Sequence, residues 1–126
     1  MRKLVLTVDD SRVMRRLITG TIEMLGYEPI EAGDGAQAMA VLERRGDEIA
    51  LVLLDWNMPV MNGFDTLLAI QADPRFRDIP VMMVTTESET QNVVRALQAG
   101  AKHYLSKPFS PQDLQTRVME ALGCGF

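Results

Sequence analysis

Short apolar runs alternate five times with segments whose apolar residues recur at helical spacing, each pair separated by turn-forming residues. Leu4–Val8, Ile49–Leu54 and residues 81–84 are nearly unbroken apolar stretches, the pattern of strands covered on both faces, and are predicted to be central. Glu28–Ala32 carries two carboxylates and Pro29, which belong at a sheet edge. His103–Ser106 is predicted to be the other edge. Between them, Met14, Leu17, Ile18, Thr21, Ile22 and Leu25 keep the 3.6-residue repeat. So do Ala38, Val41 and Leu42, then Phe64, Leu67 and Leu68, then Val94 and Leu97, then Leu114, Val118 and Ala121. Each set predicts a helix with one apolar stripe against the sheet. Gly26, Gly46, Gly100 and Gly123 stand where helices should stop, and Ser110-Pro111 reads as an N-cap followed by proline in the first turn. Gly20 falls inside the first helix at a cost of about 1 kcal/mol relative to alanine, with close packing as its only evident reason.

Five such units joined by right-handed crossovers define an α/β fold, a parallel sheet with helices on both faces. The 126 residues, 47% hydrophobic, suit a single domain with one core over residues 1–126. Thirteen basic against seventeen acidic side chains leave a net charge of −4, which argues against nucleic acid and anionic lipid as partners. The longest apolar run is six residues, far short of the roughly 20 that cross a bilayer. With no signal-like stretch near the start, a cytoplasmic location without membrane attachment is expected. Cys124 alone forms no intrachain disulfide and sits off the prenylation position, so it is expected to be a surface thiol. Met82 and Met83 are expected to fill the core, and His103 to be a solvated edge residue.

Open parallel sheets bind ligands beyond the carboxyl ends of their strands. The predicted ends carry Asp9-Asp10, Asp55, Thr85 and Ser106-Lys107-Pro108. Converging carboxylates repel by about 4 kcal/mol per close pair at an effective dielectric near 20, so the site calls for a counter-charge. An all-oxygen set with room for water and phosphate suits Mg²⁺ better than Ca²⁺. A metal, a lysine and a hydroxyl around an exposed carboxylate are the parts for phosphoryl transfer onto that carboxylate. Asp55, already ionised at neutral pH, needs no general base to act as nucleophile. Lys107 and Thr85 would each bind a phosphoryl oxygen. Taken singly, Asp9-Asp10-Ser11 reads as helix capping, Asp55–Pro59 as a turn, Thr85 as a β-branched strand residue and Lys107 as a solvated charge. Their coincidence at one sheet edge favours chemistry.

Asp9-Asp10, Asp55-Trp56-Asn57-Met58-Pro59 with Gly63, Val84-Thr85 and Lys107-Pro108-Phe109 together resemble the receiver domain of two-component response regulators, over the whole chain. The resemblance implies a doubly wound (βα)5 sheet of flavodoxin-like strand order 2-1-3-4-5. It implies Asp55 as phosphoacceptor, with Mg²⁺, or Mn²⁺ in its place, held by Asp10, Asp55 and the main-chain carbonyl of Asn57, and by Asp9 through water. It makes Tyr104 the aromatic switch residue coupled to Thr85, and suggests a cis Lys107-Pro108 bond. Asn57 and Glu87 take positions that govern the lifetime of the phosphate, and the branched Thr86 replaces a small residue at the mouth.

The resemblance further implies a sensor histidine kinase as donor and no turnover beyond self-phosphorylation and self-dephosphorylation. Four residues follow Leu122, so the expected output is a partner protein, bound on the face of the fourth helix, fifth strand and fifth helix. A chemotaxis role is expected, with the flagellar motor switch as a target and a phosphatase as a second partner. Ser88-Glu89-Thr90-Gln91 lacks the lysines that enteric chemotaxis members place there. A phosphate sink or a relay intermediate is the alternative. Two more distant readings stand beside it. Gly33-Asp34-Gly35-Ala36-Gln37-Ala38 fits a dinucleotide-binding pattern but follows a polar strand and carries its own acid. An aspartyl phosphatase would want an acid two residues past the nucleophile, where Asn57 stands.

Overall fold

The computed structural model describes residues 2–123. Its elements run β1 (Leu4–Val8), α1 (Arg12–Met24), β2 (Glu28–Ala32), α2 (Gly35–Arg45), β3 (Ile49–Leu54), α3 (Gly63–Ala72), β4 (Val81–Thr85), α4 (Thr90–Gln98), β5 (His103–Ser106) and α5 (Pro111–Ala121). All strand pairs are parallel, in the order β2-β1-β3-β4-β5. The polar strand β2 and the short β5 are therefore the edges, as their compositions require.

Alternation along the central strands splits the core into two layers. Leu4, Leu6, Val8, Val52, Leu54, Val81 and Met83 face α2, α3 and α4, where Ala38, Leu42, Leu67, Ile70 and Ala96 meet them. Val5, Leu51, Leu53, Met82 and Val84 face α1 and α5, through Ile18, Ile22, Leu114 and Val118. One position breaks the apolar pattern. Thr7 is buried in β1, and its hydroxyl has no hydrogen-bond partner.

Helix starts follow the expected chemistry. Ser11, Asp34, Asn62 and Ser110 each accept a main-chain N–H three residues on, and Pro111 stands in the first turn of α5. Gly26, Gly100 and Gly123 adopt positive φ just past helix ends, whereas Gly46 has right-handed dihedrals and continues into the 3-10 turn Gly46–Glu48.

Several apolar residues assigned to buried stripes lie outside the core. Leu17 and Leu68 are exposed, and in α4 Val94 and Leu97 are 42% and 44% exposed while Ala96 alone is fully buried. Periodicity shows only that a face exists. Here α4 meets the sheet through a small side chain, and the larger ones turn outward. Strand β4 also runs one residue further than predicted, to Thr85. Cys124 lies outside the described residues. Among the described residues no helix is long and apolar enough to cross a membrane.

Candidate phosphoacceptor site

Register brings the acids together. Val8 pairs with Leu54 across β1 and β3, so the residues one step beyond, Asp9 and Asp55, leave the sheet side by side. Asp9 is fixed by its N–H to the Ala32 carbonyl (3.1 Å) and Asp55 by its N–H to the Val8 carbonyl (3.0 Å). Carboxylate oxygens of Asp9, Asp10 and Asp55 lie within 4.8 Å of one another. Asp9 and Asp55 are buried and Asp10 is exposed. Capping and chemistry coexist at this turn: Asp9 Oδ1 accepts the Ser11 N–H at 2.8 Å, while Ser11 Oγ accepts that of Met14.

Lys107 supplies the positive charge. Its ammonium donates to Asp9 Oδ2 at 2.6 Å and reaches Asp55 Oδ2 at 3.3 Å, with only 12% of the side chain exposed. The Lys107-Pro108 bond is cis, and the Lys107 N–H binds the Thr85 carbonyl at 2.9 Å. On its other side, Asp55 Oδ1 accepts the Trp56 N–H at 2.7 Å. Both oxygens of Asp55 are thereby oriented. One lysine among three carboxylates leaves a net negative cluster, and an all-oxygen donor set of this charge fits a hard divalent cation.

Thr85 ends β4 with its side chain buried, and its hydroxyl oxygen accepts the Glu87 N–H at 3.2 Å. The Tyr104 hydroxyl donates to the Glu87 carbonyl at 2.5 Å. Residue 87 is thus held from both sides by the two residues paired in sequence as hydroxyl and switch. Burial, then the charges of Glu87 and Asp55, push the Tyr104 phenol up to about 12. Asn57 and Thr86 are exposed.

Three contributors escaped notice in the sequence. Arg15 donates to the Asp9 carbonyl at 2.5 Å and to Glu31 at 2.9 Å, tying the acidic turn to β2. Phe64 stacks on Trp56 with centroids 5.2 Å apart, and the Arg95 guanidinium lies over the Phe64 ring, 4.4 Å from its centroid. Gly63 belongs to the motif, but its reason is visible only in space: a Cβ there would sit 1.9 Å from the Asp55 carbonyl oxygen. Of the dinucleotide-like glycines, Gly35 is explained the same way. A Cβ at Gly35 would lie 2.0 Å from the Thr66 hydroxyl, so that glycine serves packing of α2 on α3.

A parallel five-stranded sheet with three acids, a lysine and a hydroxyl at its carboxyl edge is the architecture of a receiver domain. The chain belongs to the response regulator receiver domain family, whose model matches residues 5–119. It is the receiver of a two-component system, a signalling protein rather than a conventional enzyme. Chemotaxis protein CheY1 of Helicobacter pylori is 45% identical over 119 residues, 94% of this chain and 95% of that protein. The structure of chemotaxis protein CheY4 of Vibrio cholerae superimposes with a TM-score of 0.87 at 31% identity, covering 96% of this chain and 99% of that one. The Borrelia burgdorferi CheX-CheY-BeF3-Mg complex matches with a TM-score of 0.87 at 30% identity, covering 93% and 87%.

Proposed function

We propose that Asp55 accepts a phosphoryl group from a phosphohistidine of a sensor histidine kinase, and that the modified protein changes its affinity for a partner in chemotaxis or motility control. The observation that carries this reading is the clamped carboxylate of Asp55, held by the Trp56 N–H and Lys107 at the rim of an acidic cluster. An Asp55 oxygen attacks phosphorus, the P–N bond to the donor imidazole breaks, and the imidazole leaves as its neutral form after taking a proton from solvent. Lys107, anchored on Asp9, binds a phosphoryl oxygen by shifting along the same edge. Asp10, Asp55 and the Asn57 carbonyl would hold Mg²⁺ or Mn²⁺, with Asp9 acting through water, and the bound ion supplies positive charge against the developing oxyanions.

Thr85 carries the signal outward. When its hydroxyl turns to a phosphoryl oxygen it releases the Glu87 N–H, and Tyr104, bonded to the Glu87 carbonyl, feels that change at β5. Moving such an equilibrium from 1:99 to 99:1 takes about 5.5 kcal/mol, the work of several charge-assisted bonds. The α4–β5–α5 face is the output surface, and the flagellar motor switch is one target. A phosphatase is another partner, and the Borrelia relative in complex with CheX supports a second protein docking on this fold. Asn57, Thr86 and Glu87 set the lifetime of the phosphate. Residues 1–126 act as one receiver unit in the cytoplasm, self-phosphorylating from small donors and self-dephosphorylating.

Intact-mass and peptide spectra after acetyl phosphate and Mg²⁺ test this reading. One phosphoryl group on Asp55, absent from Asp55→Asn, is expected. No added mass, or mass on another residue, overturns it.

A further inference from the structure

Two of the three clustered acids are held by direct contacts to their carboxylates, and the third is not. Asp9 accepts the Ser11 N–H and the Lys107 ammonium, and Asp55 accepts the Trp56 N–H and the same ammonium. The side chain of Asp10 is exposed and makes no hydrogen bond or ion pair among the described residues, yet it offers an oxygen within 4.8 Å of the other two. What aims it is the main chain. The Asp9 carbonyl belongs to the peptide plane that joins Asp9 to Asp10, so fixing that oxygen fixes the direction in which Asp10 leaves the turn. Arg15 fixes it. Its Nη1 donates to the Asp9 carbonyl at 2.5 Å while its Nε donates to Glu31 at 2.9 Å, and only 16% of the side chain is exposed. The Asp9 N–H is bonded to the Ala32 carbonyl at 3.1 Å, so both peptide planes flanking Asp9 are tied to β2, one directly and one through Arg15. The Arg15 N–H closes a ring, since it donates to the Ser11 carbonyl at 3.0 Å and the Ser11 N–H donates to Asp9 Oδ1. A lysine could not serve both oxygens, because one ammonium on a flexible stem lacks the planar fork.

We propose that Arg15 is a positioning residue for the divalent cation, holding the Asp9–Asp10 peptide so that the Asp10 carboxylate already points at the cluster before the ion arrives. This rests on the reading that Asp10 is one of the ion's ligands. A carboxylate aimed in advance spares the ion the entropy of ordering it. Groups that orient a metal ligand carry about ten- to hundredfold in affinity. Charge and position have opposite signs here. A guanidinium beside three carboxylates weakens their pull on a cation, so losing its charge should tighten binding, whereas losing its grip on the Asp9 carbonyl should loosen it. The direction of the change therefore tells the two roles apart.

Mn²⁺ binding to the full chain, read from the loss of the free-ion electron paramagnetic resonance signal, tests it. Urea unfolding in EDTA shows that each variant is folded under the conditions used. Arg15→Met is expected to weaken binding about tenfold, and Arg15→Lys, which keeps the charge, about threefold or more. Arg15→Lys carries the test if Arg15→Met does not fold. Asp10→Asn should itself weaken binding, and on that background either Arg15 variant should change it by less than about twofold, because the arginine acts through Asp10. A merely structural arginine would lower the urea midpoint and leave the affinity of the folded chain alone, which overturns the proposal. Tighter binding by Arg15→Met overturns it as well, as does parental affinity in Arg15→Lys or an equal loss on both backgrounds. If Asp10→Asn binds like the parent, the reading of Asp10 as a ligand fails and takes the proposal with it. Affinity lost in Asp10→Asn but kept in the Arg15 variants sinks the proposal alone.

Discussion

Lys107 sits closer to Asp9 than to Asp55, 2.6 Å against 3.3 Å, so the shortest contact of this lysine is with the neighbouring acid and not with the proposed acceptor. The pair spans 98 residues of sequence and is nearly closed to solvent. Asp9 thereby parks the ammonium beside Asp55, where the proposed phosphoryl transfer would use it.

Removing that charge should expose the repulsion it offsets. Lys107→Met leaves a buried carboxylate unpaired, a change expected to cost about 3 kcal/mol, the low end of the range for breaking a buried pair. Urea unfolding in EDTA should show that loss. Millimolar Mg²⁺ should recover most of it, and Mg²⁺ should bind the variant several-fold more tightly, because ammonium and cation compete for the same oxygens. A variant as stable as the parent in EDTA would contradict this balance.

Gly63→Ala tests the loop that follows Asp55. The added methyl would lie 1.9 Å from the Asp55 carbonyl and 2.8 Å from Trp56 Cα, both backbone atoms, so no rotamer change relieves it. A loss of about 3 kcal/mol is expected, at the upper end for overpacking, together with altered Trp56 fluorescence.

Thr7→Val should have the opposite sign. The threonine hydroxyl is buried without a partner, and valine fills the same volume without a polar atom. A gain of about 1 kcal/mol in thermal or urea unfolding is expected.

Phe64 and Arg95 should reveal themselves through Trp56. Phe64→Leu removes the stacked ring and should cost about 1 kcal/mol, with a red shift of tryptophan emission as the indole gains water. Arg95→Ala should cost about 0.5 kcal/mol, and the double variant less than the sum, because the guanidinium acts through the ring.

Above pH 10 the protein should weaken. Tyr104 keeps its proton up to about 12 when folded and releases it near 10 when unfolded, so between these values the unfolded state binds fewer protons and stability falls as pH rises. Absorbance titration at the phenolate band should show one late-ionising tyrosine that Tyr104→Phe removes, together with that part of the alkaline loss.

The edge positions of β2 and β5 and the acidic rim were legible because they depend on chemistry confined to short segments, whereas the full strand order came only with the family resemblance. Asp9-Asp10, Asp55 and Lys107 each follow an apolar run, and a parallel sheet gathers the ends of such runs. What escaped depends on distance between segments. Nothing near Arg15 in sequence reveals that Glu31 and the Asp9 carbonyl await it, and nothing near Phe64 reveals Arg95 over its ring. Val94 and Leu97 misled because an apolar residue reports a preference for burial, and Ala96 occupies the place where α4 touches the sheet.

Strand β2 closes one side of the molecule against growth. The Glu28 N–H turns inward to the Lys3 carbonyl, and in a parallel ladder alternate residues share that direction, so positions 29 and 31 face outward. One of these is Pro29, which has no N–H to offer, and the other bears the Glu31 carboxylate. A stray strand arriving at this rim finds half the donors missing and a charge in its way, so the sheet is protected there from runaway end-to-end stacking into fibrils.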